Sequence, residues 1–160
     1  SWENAVAALT RLKRIIIGVG KLRAKAEDKK SPIEHPRVLE FKEKFDSAIS
    51  DDLNSAKCLP ILEDMLNQKK LPADQRLFLL EEIEQVLGLN LLDLSREDLR
   101  ISPATASIGI DEIETKLSER QKVKSNKDFA AADTIRDELT DQGIELMDGD
   151  PLRWEWRIDI

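Results

Sequence analysis

Apolar residues recur at three- and four-residue steps along most of the chain, the signature of helices that bury one face. Trp2, Val6, Leu9, Leu12, Ile16 and Val19 predict a first helix over 2–29. Gly18 and Gly20 interrupt it. Each costs about 1 kcal/mol relative to Ala in a helix interior, so a bend or break is expected there. Ser31-Pro32 and His35-Pro36 end the segment. Val38, Phe41, Phe45 and Ile49 predict a second helix over 37–50, and Asp51 to Ser55 a turn rich in N-cap residues. Leu59, Leu62, Met65 and Leu66 predict a third over 55–69. Pro60 lacks a backbone donor, so either a kink or a helix that starts near Leu59 is expected. Leu77, Leu80, Ile83 and Leu87 mark the inward face of a fourth helix over 73–87, with Gly88 as its stop.

The period dissolves between Leu89 and Ser107. We place a helical bundle at 1–95, a linker at 96–107 and a second domain at 108–160. Ile110, Ile113 and Leu117 predict a fifth helix over 109–125. Ser125 to Asp128 reads as a short helix–helix turn, followed by a sixth helix over 128–141 and a C′ residue at Gly143. Ile144 to Met147 and the alternating run Arg153 to Ile158 predict two short strands around the turn Asp148-Gly149-Asp150-Pro151. The fold class is therefore mainly α: an antiparallel helical bundle followed by a small α+β domain, itself a helical hairpin plus a short β-hairpin.

Composition narrows the function classes. The 160 residues are 36% charged and only 4% aromatic, with 6 Gly and 6 Pro. This opposes a β-sandwich or barrel, which needs turns and aromatic strands. No apolar run approaches the roughly 18 residues that span a bilayer, and Ser1-Trp2-Glu3-Asn4 is no signal peptide. The first residue is Ser, as expected of a processed chain or an excised piece. Cys58, on an apolar helical pattern, reads as a small buried hydrophobe. One Cys and one His (His35) cannot make a Cys/His zinc site. His35 instead sits at a helix entry. Gly18-Val19-Gly20 follows no strand and is no phosphate loop. No nucleophile–base pair or metal cluster is apparent, so no active site is expected. The net charge of −7 argues against simple nucleic-acid binding. Between residues 11 and 30, however, eight bases face only Glu27 and Asp28, a local +6.

The fifth and sixth helices carry the most chemistry. Arg120 and Lys124 are four apart and share a face. Phe129, Asp133 and Arg136 lie at i, i+4 and i+7, again one face. A short turn brings these groups to one end of a hairpin. An aromatic face stacks on an unpaired base, a carboxylate accepts from the guanine or cytosine edge, and a cation reaches O6, N7 or phosphate. The same spacing also suits a core Phe129 and a solvated charged surface with helix-stabilising pairs.

The residues Glu119-Arg120-Gln121, then Lys127-Asp128-Phe129-Ala130-Ala131-Ala132-Asp133-Thr134-Ile135-Arg136-Asp137-Glu138-Leu139, then Gly143 to Gly149, resemble the C-terminal anticodon-binding domain of the cysteinyl-tRNA synthetases. Phe45 to Ser55 resembles the family's F-x-x-A-[MI]-x-D-D-[LF]-N-[TS] segment, and Ser1 to Leu12 the helix after its catalytic region. The resemblance implies a bundle along the inner side of tRNA and a terminal domain that reads the GCA anticodon. It places base reading on Lys124, Phe129, Asp133, Arg136 and Asp148, beside the cation Arg120. Phe129 stands where the family often has Trp, and Trp154 looks like its near-terminal Trp. Two positions depart from the pattern. Lys124 replaces the usual Arg and cannot make a two-pronged contact to guanine. Asp150 to Trp154 replaces a G-T-x-W ending.

The family's two ATP-site motifs and zinc cysteines are absent from this sequence. The resemblance therefore implies a non-catalytic C-terminal portion of a cysteine–tRNA ligase, with no cofactor of its own. ATP and zinc are expected only in the parent's catalytic core. The implied partners are tRNA-Cys and that core, with Lys21, Arg23 and Lys25 contacting tRNA backbone, in a cytoplasmic monomer without membrane contact. A helical protein-interaction module with no RNA role suits the same amphipathic helices. The related ligase of mycothiol biosynthesis is a third reading, which the Lys127–Leu139 block opposes.

Overall fold

The computed structural model describes residues 1–51 and 55–157. Six helices and one two-stranded sheet are found among them: α1 (Trp2–Ala26), α2 (Pro36–Ser50), α3 (Ser55–Asn67), α4 (Ala73–Leu87), α5 (Ile110–Ser125), α6 (Phe129–Asp141), β1 (Ile144–Leu146) and β2 (Trp154–Trp156). The mainly α fold class expected from periodicity is what the chain adopts. The described residues divide into two compact units, one ending at Asp98 and one beginning at Leu99. No helix among them is long and apolar enough to cross a membrane.

In the first unit, α2, α3 and α4 pack against one another. Their core joins Val38, Phe41 and Phe45 of α2 to Cys58, Leu62 and Met65 of α3 and Leu77, Leu80 and Ile83 of α4. Ile15, Val19 and Leu22 of α1 complete it. Cys58 is fully buried, as a small hydrophobe on that face should be. The loop before α2 is held by backbone donors of Glu34 and His35 to the Gln75 side chain, at 2.9 and 2.8 Å. His35 caps α2, its Nδ1 accepting from the Arg37 amide at 3.2 Å. Gly88 ends α4 with φ 62°, where a Cβ would be strained.

Two local expectations are corrected. The first helix runs without a break through Gly18 and Gly20. A Cβ on Gly18 would come within 3.2 Å of the Leu66 side chain, so this glycine serves close packing against α3. The same helix ends three residues early, where Glu27 and Asp28 both turn left-handed, at φ 52° and 54°. That conformation is unfavourable for non-glycine residues. The Asp28 amide donates to the Arg23 carbonyl at 3.1 Å, and its carboxylate takes the Arg23 Nε at 2.7 Å. The third helix begins at Ser55, as the 55–69 reading expects, and carries Pro60 inside it, so the alternative start near Leu59 is not taken. Most of the N-cap turn expected before it, and the end of the second strand segment, lie outside the described residues.

In the second unit α5 and α6 pack as a hairpin, and α6 packs on β1. The strands are antiparallel, with Ile144 opposite Trp156 and Leu146 opposite Trp154. Ile113, Leu139, Ile144, Trp154 and Trp156 form the core, the two indoles meeting edge to face at 5.7 Å. Ile110, expected inward, is 52% exposed, because it is the first residue of α5. Leu62 is fully buried at the centre of the first core. Leu62→Ala should therefore cost about 2–5 kcal/mol, read as a lowered urea midpoint with little change in slope.

Candidate nucleic-acid interface

The side chains singled out on α5 and in the β1–β2 turn meet at one point. Arg120 is 7% exposed and donates through both terminal nitrogens to Asp148, at 2.8 and 3.0 Å. Lys124, one turn on, reaches the same carboxylate at 3.5 Å. The hydrogen bonds from Arg120 hold the Asp148 carboxyl far below its usual range. Burial opposes this, and the charges of Arg120 and Lys124 reinforce it. Arg120 is raised in turn, first by its bond to Asp148, against burial, and then by the charges of Asp148 and Asp133. The pair thus combines a desolvated guanidinium with a half-exposed carboxylate.

The turn that presents Asp148 is itself built. Gly149 sits at φ 82° and Arg153 at φ 65°. The Asp150 side chain accepts from the Leu152 amide at 2.8 Å, and Met147 donates to the Arg153 carbonyl at 2.8 Å. Below it, Trp154 is fully buried. Its Nε1 donates to Glu114 at 2.9 Å, and the Arg100 guanidinium stacks on its ring at 4.1 Å. Arg100 also donates to the carbonyls of Leu152 and Trp154. Burial pushes Glu114 up, but its bonds from Trp154 and Arg153 outweigh this and its pKa falls. Glu114 and Arg100 escaped the sequence reading. Glu114 could have been found, since it shares the inward-leaning side of α5 with Ile113 and Leu117. Arg100 lies in an irregular segment with no periodic signal.

On α6, Phe129 is 62% exposed, so it is not a core residue. Asp133 and Arg136 are exposed on the same helix. Neither side chain makes a hydrogen bond or ion pair among the described residues. The hairpin is locked by Lys116 to Glu138 at 2.7 Å, and by Asp128, which caps α6 by accepting from Ala131 at 3.1 Å. Of the six residues singled out here, the structure joins Arg120, Lys124 and Asp148 directly. Asp133 is near enough to act on Arg120 electrostatically, and Phe129 and Arg136 stand free. The three singled out on α1 are exposed and differ in their partners. Arg23 bonds Asp28 and the Leu92 carbonyl, Lys25 donates to the Lys69 carbonyl, and Lys21 has no partner among the described residues.

No family model matches the chain. It is 44% identical over 158 residues to the cysteine–tRNA ligase of Novosphingobium aromaticivorans, which aligns 99% of this chain. The cysteine–tRNA ligase of Zymomonas mobilis is 39% identical over 187 residues, aligning 98% of the chain. By sequence, the chain belongs to the cysteine–tRNA ligase family. It spans about a third of those relatives, 32% and 36% of their lengths. A Helicobacter pylori cysteine–tRNA ligase is 38% identical over a shorter 119-residue span. The matches to the Novosphingobium and Zymomonas ligases run over both units.

The ion pair makes a pH prediction with a definite sign. Because the folded Asp148 pKa is depressed, its contribution to stability is complete above the unfolded carboxylate value of about 3.9 and is lost as pH falls through the folded value. Asp148→Asn leaves a buried guanidinium without its counter-charge, a loss of several kcal/mol when both partners are buried. With Asp148 half exposed to solvent, we expect about 1–2 kcal/mol at pH 7. Urea midpoints of the two proteins should differ at pH 7 and converge on the acid side of pH 4.

Proposed function

We propose that this chain is the tRNA-binding, anticodon-recognising portion of a cysteine–tRNA ligase. It positions tRNA-Cys, with its GCA anticodon, for ATP-dependent aminoacylation by the remainder of such a ligase. The observation that carries this reading is the exposed aromatic and charged face of α6, whose Asp133 acts electrostatically on the Arg120 that fixes Asp148. Phe129 offers an uncovered ring on which a base stacks. Asp133 and Asp148 offer acceptors to the amino and imino edge of guanine or to an exocyclic amine, and Arg136 and Lys124 offer donors. Arg120 is too buried to read a base. Its role is to position Asp148.

The α1 cations Lys21, Arg23 and Lys25 supply backbone contacts. Contacts to phosphate set register and affinity, while base contacts select. The two kinds of residue therefore fail differently. Phe129→Ala should weaken tRNA-Cys by roughly tenfold, within the 1–3 kcal/mol that one base–aromatic stack is worth. Asp133→Ala should lower the preference for GCA over other anticodons. Reversing the charge of Lys21, Arg23 and Lys25 should weaken all tRNAs alike and flatten the slope of log K against log salt by about 2–3. Filter binding with tRNA-Cys and an anticodon-swapped tRNA, each at two salt concentrations, separates these outcomes. Unchanged discrimination in Asp133→Ala would overturn the anticodon assignment.

A further inference from the structure

The first unit holds a groove of about 460 Å³ between the middle of α1 and the end of α3. That is within the roughly 300–1,000 Å³ typical of small-ligand sites. Gly18, Ile17 and Leu66 give it an apolar wall. Its charge is one-sided. Arg14, Lys21, Lys25, Lys69 and Arg76 line it against a single carboxylate, Glu63. Glu63 is already taken by Arg14 at 2.6 Å and Arg11 at 3.5 Å. The Lys21 and Lys69 ammonium groups have no partner among the described residues.

Arg76 is the decisive residue. It is 2% exposed, yet no carboxylate pairs with it among the described residues. Its Nη1 donates to the Met65 and Leu66 carbonyls, at 3.3 and 3.2 Å, and its Nε is buried without a partner. These carbonyls at the end of α3 supply dipoles rather than a counter-charge. Burial accordingly pushes the Arg76 pKa down. A buried cation without an anion is costly, and an anion brought beside it relieves that cost.

We propose that this groove binds the phosphoryl group of a nucleotide-sized ligand. Lys21 and Lys69 are the contacting cations, and Arg76 supplies uncompensated positive charge from the wall. The phosphoryl group has two sources, a phosphodiester of bound RNA or a free phosphorylated small molecule. In its RNA form the site rests on the backbone-contact reading of Lys21 and adds Lys69 and Arg76 to it, whereas in its free-ligand form it goes beyond that reading, and the small probes tell the two apart. Failure of Asp133 to discriminate anticodons would leave it standing.

The test is an amide NMR titration of the whole 160-residue chain. The probes are inorganic pyrophosphate, uridine 5′-monophosphate and a single-stranded oligoribonucleotide without GCA. Each is added to the wild type and to the double variant Lys21→Glu, Lys69→Glu. Both lysines are exposed and unpartnered, so the urea midpoint should be unchanged and serves as the folding control. We expect saturable shifts at Gly18, Lys21 and Lys69, and at least about tenfold weaker binding in the double variant, given the Coulomb energy of two reversed charges near the ligand. Response to the small probes assigns the site to a free ligand. Response to the oligonucleotide alone assigns it to RNA backbone. Shifts that avoid the groove with every probe, or equal affinity in a folded double variant, would overturn the proposal.

Discussion

A guanidinium taken out of water is costly to leave without a counter-charge, and in the second unit this cost organises the surface. Arg120 is held among the helices, and Asp148 comes to it from a turn 28 residues away. That single bidentate contact ties α5 to the β1–β2 turn, which otherwise depends on two left-handed residues and on the anchoring of Trp154. The pair is asymmetric. Its cation is desolvated, so the contact is stronger than a surface ion pair. Its anion remains half in solvent. A carboxylate has about four lone-pair sites, and Arg120 occupies two of them. Lys124 reaches the same group at 3.5 Å, and what is left stays open to solvent on a group that cannot swing away.

Positioning also explains why the supporting residues outnumber the presented ones. Glu114 orients the Trp154 indole, and Arg100 covers its ring and bonds the backbone that leads back to Asp148. Phe129, by contrast, is held only through its place at the start of α6, whose cap Asp128 fixes the first turn. An exposed phenyl ring is unfavourable in water. Phe129 is nevertheless 62% exposed, so burial does not account for an aromatic residue at this position.

Helical period made most of the architecture legible. The stripes Val38-Phe41-Phe45 and Leu77-Leu80-Ile83 state which face goes inward, and the fold obeys them. Period says nothing of what each face meets. Gly18 looks like a helix breaker when only its own segment is considered, and becomes a packing residue only because Leu66 arrives opposite it. The left-handed end of α1 at Glu27 and Asp28 has no glycine to announce it. It is held by a bond from Arg23 that depends on the bend already being made. In the candidate site, the four-residue spacing of Arg120 and Lys124 implied a shared face, and both side chains reach Asp148. That Arg120 is buried, and so positions rather than reads, depends on the β1–β2 turn closing over it. Contacts of this kind join residues far apart in sequence and leave no periodic trace.

The local +6 of residues 11–30 shows how folding redistributes charge. Counted along the chain it is a uniform basic stretch. In the fold, Arg14 goes to Glu63, Arg23 to Asp28, Lys29 to Glu27 and Lys30 to Glu81. These pairs are largely exposed, and such pairs are worth about 0–1 kcal/mol, so a phosphate can replace an acid partner at little cost. What remains uncompensated is concentrated where α1 faces the end of α3. There Lys21 is joined by Lys69 and the buried Arg76, two cations from elsewhere in the chain. The net charge of −7 therefore does not describe this surface. An acidic protein can hold a strongly positive groove provided its acids are spent on its other cations, and the partners of Arg14, Arg23, Lys29 and Lys30 are spent in that way.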